Sequence, residues 1–198
     1  MLLTREGDET VSLARRVAIA NAAAADLFVS IHANALRNTR VNAVETYYFG
    51  APADRETRRL AEQENADSGM AMGTFKELIG KLGDTLKQQE SLALARSVQA
   101  GLLEGVMNRS SPPDVAVKVA PFVVLLGVEA PSVLAEITCI SNTREAIRLA
   151  TPEYRGAIAA ALERGIVAYV SGRHLKAYGA IEHEQSSGEG ENRGQGNG

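Results

Sequence analysis

His32 closes a strand-like run, Asp26-Leu27-Phe28-Val29-Ser30-Ile31, and is followed by Ala33-Asn34. About a hundred residues on, Pro131-Ser132-Val133-Leu134-Ala135 leads into Glu136, and Ser141-Asn142 follows shortly after. These runs read as strands, and in an open α/β sheet the strand ends are where sites assemble. A neutral imidazole is a good zinc ligand, and a carboxylate beside it can serve a zinc-bound, water-activating centre. Glu136 has Val133, Leu134, Ala135 and Ile137 around it. Burial in such a run penalises the charged form, raises the pKa and suits the group to general base and acid work. Each residue also has a plain reading. His32 is then a strand-end histidine with one ordinary hydrogen bond, and Glu136 lies on a solvent face or in a structural ion pair.

Other residues carry weaker signals. Asn34 either orients a substrate or caps the strand end. Arg5, Asp8 and Arg16 read as an ion-pair and capping network at a helix start. Cys139, the one cysteine, reads as a small buried side chain. It says nothing of redox compartment. His174 and His183 fall at the end of the last helix and in the tail.

The two strand segments also carry a family resemblance. Ser30-Ile31-His32-Ala33-Asn34 resembles the second metal-binding motif of the zinc-dependent N-acetylmuramoyl-L-alanine amidases of the amidase-3 type, which are cell-wall hydrolases. Pro131 to Glu136 with Ile140-Ser141-Asn142 resembles their catalytic-glutamate motif. Supporting matches are Thr4-Arg5 with Asp8, Leu13 with Arg16, Ala20-Asn21, Glu45-Thr46-Tyr47-Tyr48, and Val117-Lys118 with Ala120-Pro121-Phe122 and Val124-Leu125. They run in order from Thr4 to about Tyr169.

The resemblance implies an α/β fold, a three-layer sandwich in which helices flank a mixed, largely parallel sheet. It implies one zinc ion held by His32, with Glu136 as the catalytic acid and base. The reaction implied is hydrolysis of the amide between N-acetylmuramic acid and L-alanine in peptidoglycan. Glu136 would take the proton of a zinc-activated water and deliver it to the leaving amine. Asn34, Glu45 and Lys118 become substrate-cleft candidates, Lys118 for the peptide stem or for charge near the metal. Glu45 and Lys118 keep plain alternatives, a structural hydrogen bond and a solvated lysine. The family's other two zinc ligands, a His and a Glu, belong upstream of the Thr-Arg match and therefore before Met1. The first strand and helix of the family fold would be absent with them, leaving unpaired backbone edges and exposed apolar surface. The resemblance further implies a place in the cell envelope, periplasmic or extracellular, and a possible activator protein. Two other readings are a degenerate, non-catalytic domain of the same fold and a related zinc carboxypeptidase.

The bulk composition agrees with one globular domain. The chain has 198 residues, 45% apolar and 23% charged, with a net charge of −3. That charge gives no electrostatic case for nucleic acid. No apolar run is long enough to span a bilayer, and no secretory signal is visible at Met1.

The elements that must position these groups follow from periodicity and turn residues. Met1 to Thr4 reads as a strand end. Asp8 caps a helix to about Ala24. Leu27 to His32 is a buried strand, and Val41 to Phe49 a strand nearer an edge. Pro52 opens a polar helix to about Asn65. A loop over 66–73 precedes a short helix from Phe75 to about Leu86. Ser91 caps a helix from Leu92 to about Met107, and 109–114 is a loop. Phe122 to Leu126 and Val133 to Ile140 are strands. Thr143 starts a short helix, and Pro152 one that runs to about Val170. The expected division is an amidase-like catalytic domain over 1–172, a helix end and linker over 173–182, and a disordered acidic, Gly/Ser-rich tail over 183–198.

Overall fold

Four strands form one sheet in the order β1-β4-β2-β3, with β1 at Phe28–Asn34, β2 at Glu45–Phe49, β3 at Val117–Ala120 and β4 at Ser132–Cys139. This is a computed structural model that describes residues 1–52, 54–68, 86–107 and 117–188. β1 pairs parallel with β4, β2 parallel with β3, and β2 antiparallel with β4. The sheet is thus mixed and largely parallel, as expected. The expected helix from Phe75 and the expected loop at 109–114 lie outside the described residues, apart from the last position of that helix.

Side chains alternate across each strand, and the two faces carry separate cores. On one face, Phe28, Leu134, Tyr47 and Phe49 pack with Leu60, Ala61, Phe122 and Leu125. On the other, Val133, Ala135 and Ile137 pack with Leu94, Val98, Leu102, Ile158 and Leu162. The first face is covered by α1 (Leu13–Ala22), α2 (Arg55–Glu64) and the short α4 (Val123–Gly127). The second is covered by α3 (Leu86–Leu102), with α6 (Pro152–Gly188) packed against it. α5 spans Thr143–Leu149. β4 is buried along its whole length because helices cover both of its faces.

Several expectations are corrected. β1, expected to be a buried strand, lies at an edge of the sheet, and Ile31 is 55% exposed on it. β2 lies between β4 and β3 instead of near an edge. Its polar side chains are partnered rather than solvated: the Thr46 hydroxyl donates to Gln99 Oε1 at 2.7 Å, and Gln99 Nε2 donates to the Val44 carbonyl at 3.0 Å. Met1 to Thr4 forms no strand. Ser12, not Asp8, caps α1, accepting from the Arg15 amide at 3.3 Å. Arg5 and Arg16 donate to the carbonyls of Glu9 and Val11 rather than to Asp8. Ser91 is buried inside α3, where its hydroxyl accepts the Ser132 amide at the start of β4. Beyond α3 the chain makes a π-helical turn over Leu103–Met107.

The segment read as a strand at 122–126 is the helix α4. Its carbonyl end is closed by a distant cation. Lys87 Nζ donates to the carbonyl of Leu125 at 2.9 Å and to those of Leu126 and Val128. Positive charge at a helix C-terminus is favourable. Burial pushes the Lys87 pKa down. α6 continues past the expected end near Val170 to Gly188, so helix also covers the expected linker and the start of the expected tail. Lys176, Ala177, Ala180, Glu182 and Glu184 are residue types with good helix propensity.

α3 and α6 cross at two glycines. A Cβ on Gly165 would lie 2.6 Å from the Ser97 carbonyl oxygen, and one on Gly101 would lie 2.4 Å from the Ala161 carbonyl oxygen. Gly to Ala inside a helix gains about 0.5–1 kcal/mol from propensity. Here the clash is with backbone, so the helices must separate and overpacking costs about 1–3 kcal/mol. Gly165→Ala is therefore expected to be net destabilising, by about 2–4 °C in Tm for each kcal/mol lost. A thermal melt checks this, and an unchanged or higher Tm would show that the crossing yields freely.

Candidate metal centre

Glu136, His32 and Glu45 meet through strand register. His32 sits directly opposite Glu136 in the β1–β4 pair, and Glu45 directly opposite Glu136 in the β2–β4 pair. All three project from the face that carries Phe28, Leu134 and Tyr47, since each is an even number of residues from one of them on its own strand. The two segments singled out in the sequence thus converge on one point.

A third group reaches that point from α2. Glu64 Oε2 lies 2.7 Å from His32 Nδ1. The other ring nitrogen, Nε2, is 3.0 Å from Ser30 Oγ. Single donor atoms of His32, Glu64 and Glu136 all fall within 4.8 Å of one another. One imidazole and two carboxylates are a donor set suited to a divalent transition metal. Zinc ligands sit about 2.0–2.2 Å from the ion, so small side-chain rotations would bring this set to coordinating distance. Ser30 fits the outer partner that a ligating histidine needs, accepting Nε2–H while Nδ1 faces the cluster.

Glu136 is the electrostatic oddity. It is 1% exposed, and neither carboxylate oxygen has a hydrogen-bond partner. Burial, and then the neighbouring carboxylates of Glu64 and Glu45, push its pKa up from 4.5 to about 8. A carboxyl group held there can accept and return a proton near neutral pH, and an incoming cation would favour its ionised form.

Glu45 and Lys118 are brought together as an ion pair at 2.6 Å. The Tyr47 hydroxyl also donates to Glu45. Burial, followed by Glu45, pushes the Tyr47 pKa up, which keeps it a donor. Glu45 thus has structural partners, Lys118 is ion-paired rather than solvated, and it offsets a charge on the strand next to Glu136. Asn34 is 2% exposed and lies one pleat beyond His32 on the same face. Cys139 is buried with its Sγ 3.1 Å from Ser141 Oγ, as a packed side chain should be.

Glu64 is the residue that sequence reasoning missed. It continues the stripe Thr57, Leu60, Ala61, which is buried at helical spacing, whereas Glu56 and Glu62 on the same helix are exposed. An acid on the inward stripe of an otherwise polar helix was the available signal. α2 is held in place at both ends. Asp54 caps it, accepting the Thr57 amide at 2.7 Å, and that bond lowers the Asp54 pKa. Beyond its last turn, Asn65 Nδ2 donates to the Pro121 carbonyl at 2.8 Å, and its Oδ1 accepts the Val123 amide at 2.9 Å.

The family described as N-acetylmuramoyl-L-alanine amidase matches residues 1–168. The chain is 30% identical to the N-acetylmuramoyl-L-alanine amidase AmiA of Escherichia coli over 172 residues, covering 84% of this chain and 60% of the relative. It is 31% identical to the amidase LytC of Bacillus subtilis over 168 residues, covering 85% of this chain and 26% of the relative. The chain thus spans less than two thirds of the length of these relatives. Among solved structures, the amidase AmiC2 of Nostoc punctiforme superposes with a TM-score of 0.60 at 28% identity, covering 86% of this chain and 72% of the other.

Proposed function

The chain belongs to the N-acetylmuramoyl-L-alanine amidase family, and from that membership we propose that it hydrolyses the amide between N-acetylmuramic acid and L-alanine in peptidoglycan with the help of zinc. The observation that carries the reading is the buried, unpartnered Glu136 carboxylate beside His32 and Glu64. His32 through Nδ1 and Glu64 through its carboxylate would hold the ion, and Ser30 would fix the imidazole. When bound, zinc supplies Lewis-acid polarisation of the scissile carbonyl and lowers the pKa of an attacking water.

The chain's own residues do the rest. Glu136, ionised, accepts the proton of the attacking water as oxygen bonds to the lactyl carbonyl carbon. The carbon–nitrogen bond then breaks, and Glu136 returns the proton to the nitrogen of L-alanine. The products are a muramoyl carboxylate and a peptide with a free alanine amine. The packing around β4 buries Glu136, which maintains its raised affinity for a proton. Lys118 neutralises Glu45 across the strand, so that Glu45 does not oppose the ionised base more strongly. Peptidoglycan as substrate would place the protein in the cell envelope. No described helix is long and apolar enough to cross a membrane.

Zinc-supplemented protein incubated with purified peptidoglycan should release peptides whose N-terminal residue is L-alanine with a free amine. A strong chelator should stop the release, and added zinc should restore it. Release of single C-terminal amino acids instead would favour the carboxypeptidase reading, and no release in any condition would favour the non-catalytic one.

A further inference from the structure

Among the described residues, Glu136, Asn34 and Thr57 are buried with every side-chain polar atom unpartnered, and the first two lie on the paired strands β4 and β1 that carry the metal centre. Glu136 is accounted for above. Asn34 is not, and its surroundings make the omission specific. Its main-chain carbonyl accepts the Ile140 amide at 2.8 Å, and two residues on, the Leu36 amide donates to Ser141 Oγ at 3.0 Å. The main chain here is tied on both sides, so the carboxamide is held in place with its own bonding capacity unused.

The register also changes at this point. His32 faces Glu136, but Asn34 faces Cys139, so β4 carries one extra residue between these pairs. Such a bulge re-aims side chains at the end of a ladder. β1 itself keeps its alternation, so Asn34 remains on the His32 face, diagonal to Glu136, within the reach of cross-strand neighbours. A carboxamide offers two donors and an acceptor. That pattern matches a peptide group, which presents a carbonyl and an N–H together.

We propose that Asn34 is a substrate-positioning residue, whose carboxamide pairs with a peptide group of the stem next to the scissile amide and so sets that amide against His32 and Glu136. The assignment rests on the amidase reading and names the polar group that would hold the peptide side of the substrate. It also explains why a buried amide is left without a partner in the free protein: its partner arrives with the substrate. Unmade hydrogen bonds of this kind weaken the free state, a common feature of sites where function opposes stability.

This makes an unusual pair of expectations for Asn34→Leu, an apolar side chain of similar size. With no internal bonds to lose, the variant should melt at the same temperature as the parent or higher. Its kcat/KM on a soluble muramoyl peptide should nevertheless fall by about 10-fold or more, the loss expected when one good hydrogen-bonding group is removed from a site built for it. Zinc content should be unchanged. Asn34→Gln, which keeps the carboxamide, should recover part of the loss.

A lower Tm with kcat/KM unchanged would mean that Asn34 only braces the strand end, and the proposal would be overturned. An unchanged Tm with unchanged kcat/KM would overturn it equally. If the parent protein itself fails to cleave, the amidase reading falls and takes this assignment with it. Cleavage by the parent and by Asn34→Leu alike defeats the assignment alone.

Discussion

Glu136→Gln is expected to remove muramoyl-amide hydrolysis, by about 100- to 10,000-fold, while making the metal-free protein more stable at neutral pH. The substitution keeps volume and shape but deletes the buried group placed at the centre to carry a proton. The stability gain follows from linkage. In the unfolded chain Glu136 ionises near 4.5, whereas in the fold it holds its proton up to about 8. Between those values the folded state binds more protons than the unfolded one, so stability falls as pH rises through that window and levels off above it. The gap, at about 1.4 kcal/mol per pH unit, sets a ceiling of about 5 kcal/mol. Relaxation around the site will leave a fraction of it.

The amide of the variant carries no such charge, so that pH dependence should be lost. In chelator, melts from about pH 4.5 to about pH 8.5 should show the parent's Tm declining relative to the variant's, with the two closest at the acid end. Parallel curves would mean that Glu136 is ionised in the fold and the buried-acid assignment is wrong. Metal content separates the two roles that the cluster geometry allows. A base leaves zinc bound when it becomes an amide, whereas a third ligand takes zinc with it.

Two of the three residues of this centre are legible in the sequence, and the divide has a physical basis. His32 and Glu136 stand out because a polar group inside an apolar strand run is costly to bury without a reason, and one-dimensional pattern shows that conflict directly. Glu64 is joined to them by the docking of α2, through Asn65 to Pro121 and Val123. No local pattern encodes those contacts, and the acid hides among exposed acids on a polar helix. The same limit explains α4. Phe122 to Leu126 is a short apolar run, which periodicity cannot assign to strand or helix. Its last carbonyls are satisfied by Lys87, distant in the chain, a contact that no local pattern reports.

Strand order is hidden for a related reason. β2 reads as nearer an edge because Val41 to Phe49 alternates only partly and is aromatic-rich, but Lys118 and Gln99 partner its Glu45 and Thr46 from neighbouring elements. β1 reads as buried because it is apolar, yet it sits at the edge with Ile31 exposed. Composition reports what a strand can bury, and the partners decide what it does bury.

His32→Ala should abolish zinc binding and, with it, hydrolysis. His32 is the nitrogen donor of the cluster, touching Glu64 of α2 and lying opposite Glu136 of β4 in the strand register. Removing it leaves Glu64 and Glu136 facing each other with no neutral ligand to complete a site. Outer partners of metal ligands typically contribute about 10- to 100-fold in affinity. Ser30→Ala, which frees Nε2 but keeps the ring, is therefore expected to weaken zinc by about that much. His32→Ala must exceed it. Competition against a chromophoric chelator measures both, with circular dichroism to verify that the sheet is intact. The order parent, Ser30→Ala, His32→Ala in falling affinity is the expected result. His32 is half-buried near the end of an edge strand, so its truncation removes little packing and a folded variant is expected. If folded His32→Ala binds zinc as tightly as the parent, the imidazole is no ligand, and its contact with Glu64 is an ordinary hydrogen bond between a strand and a helix.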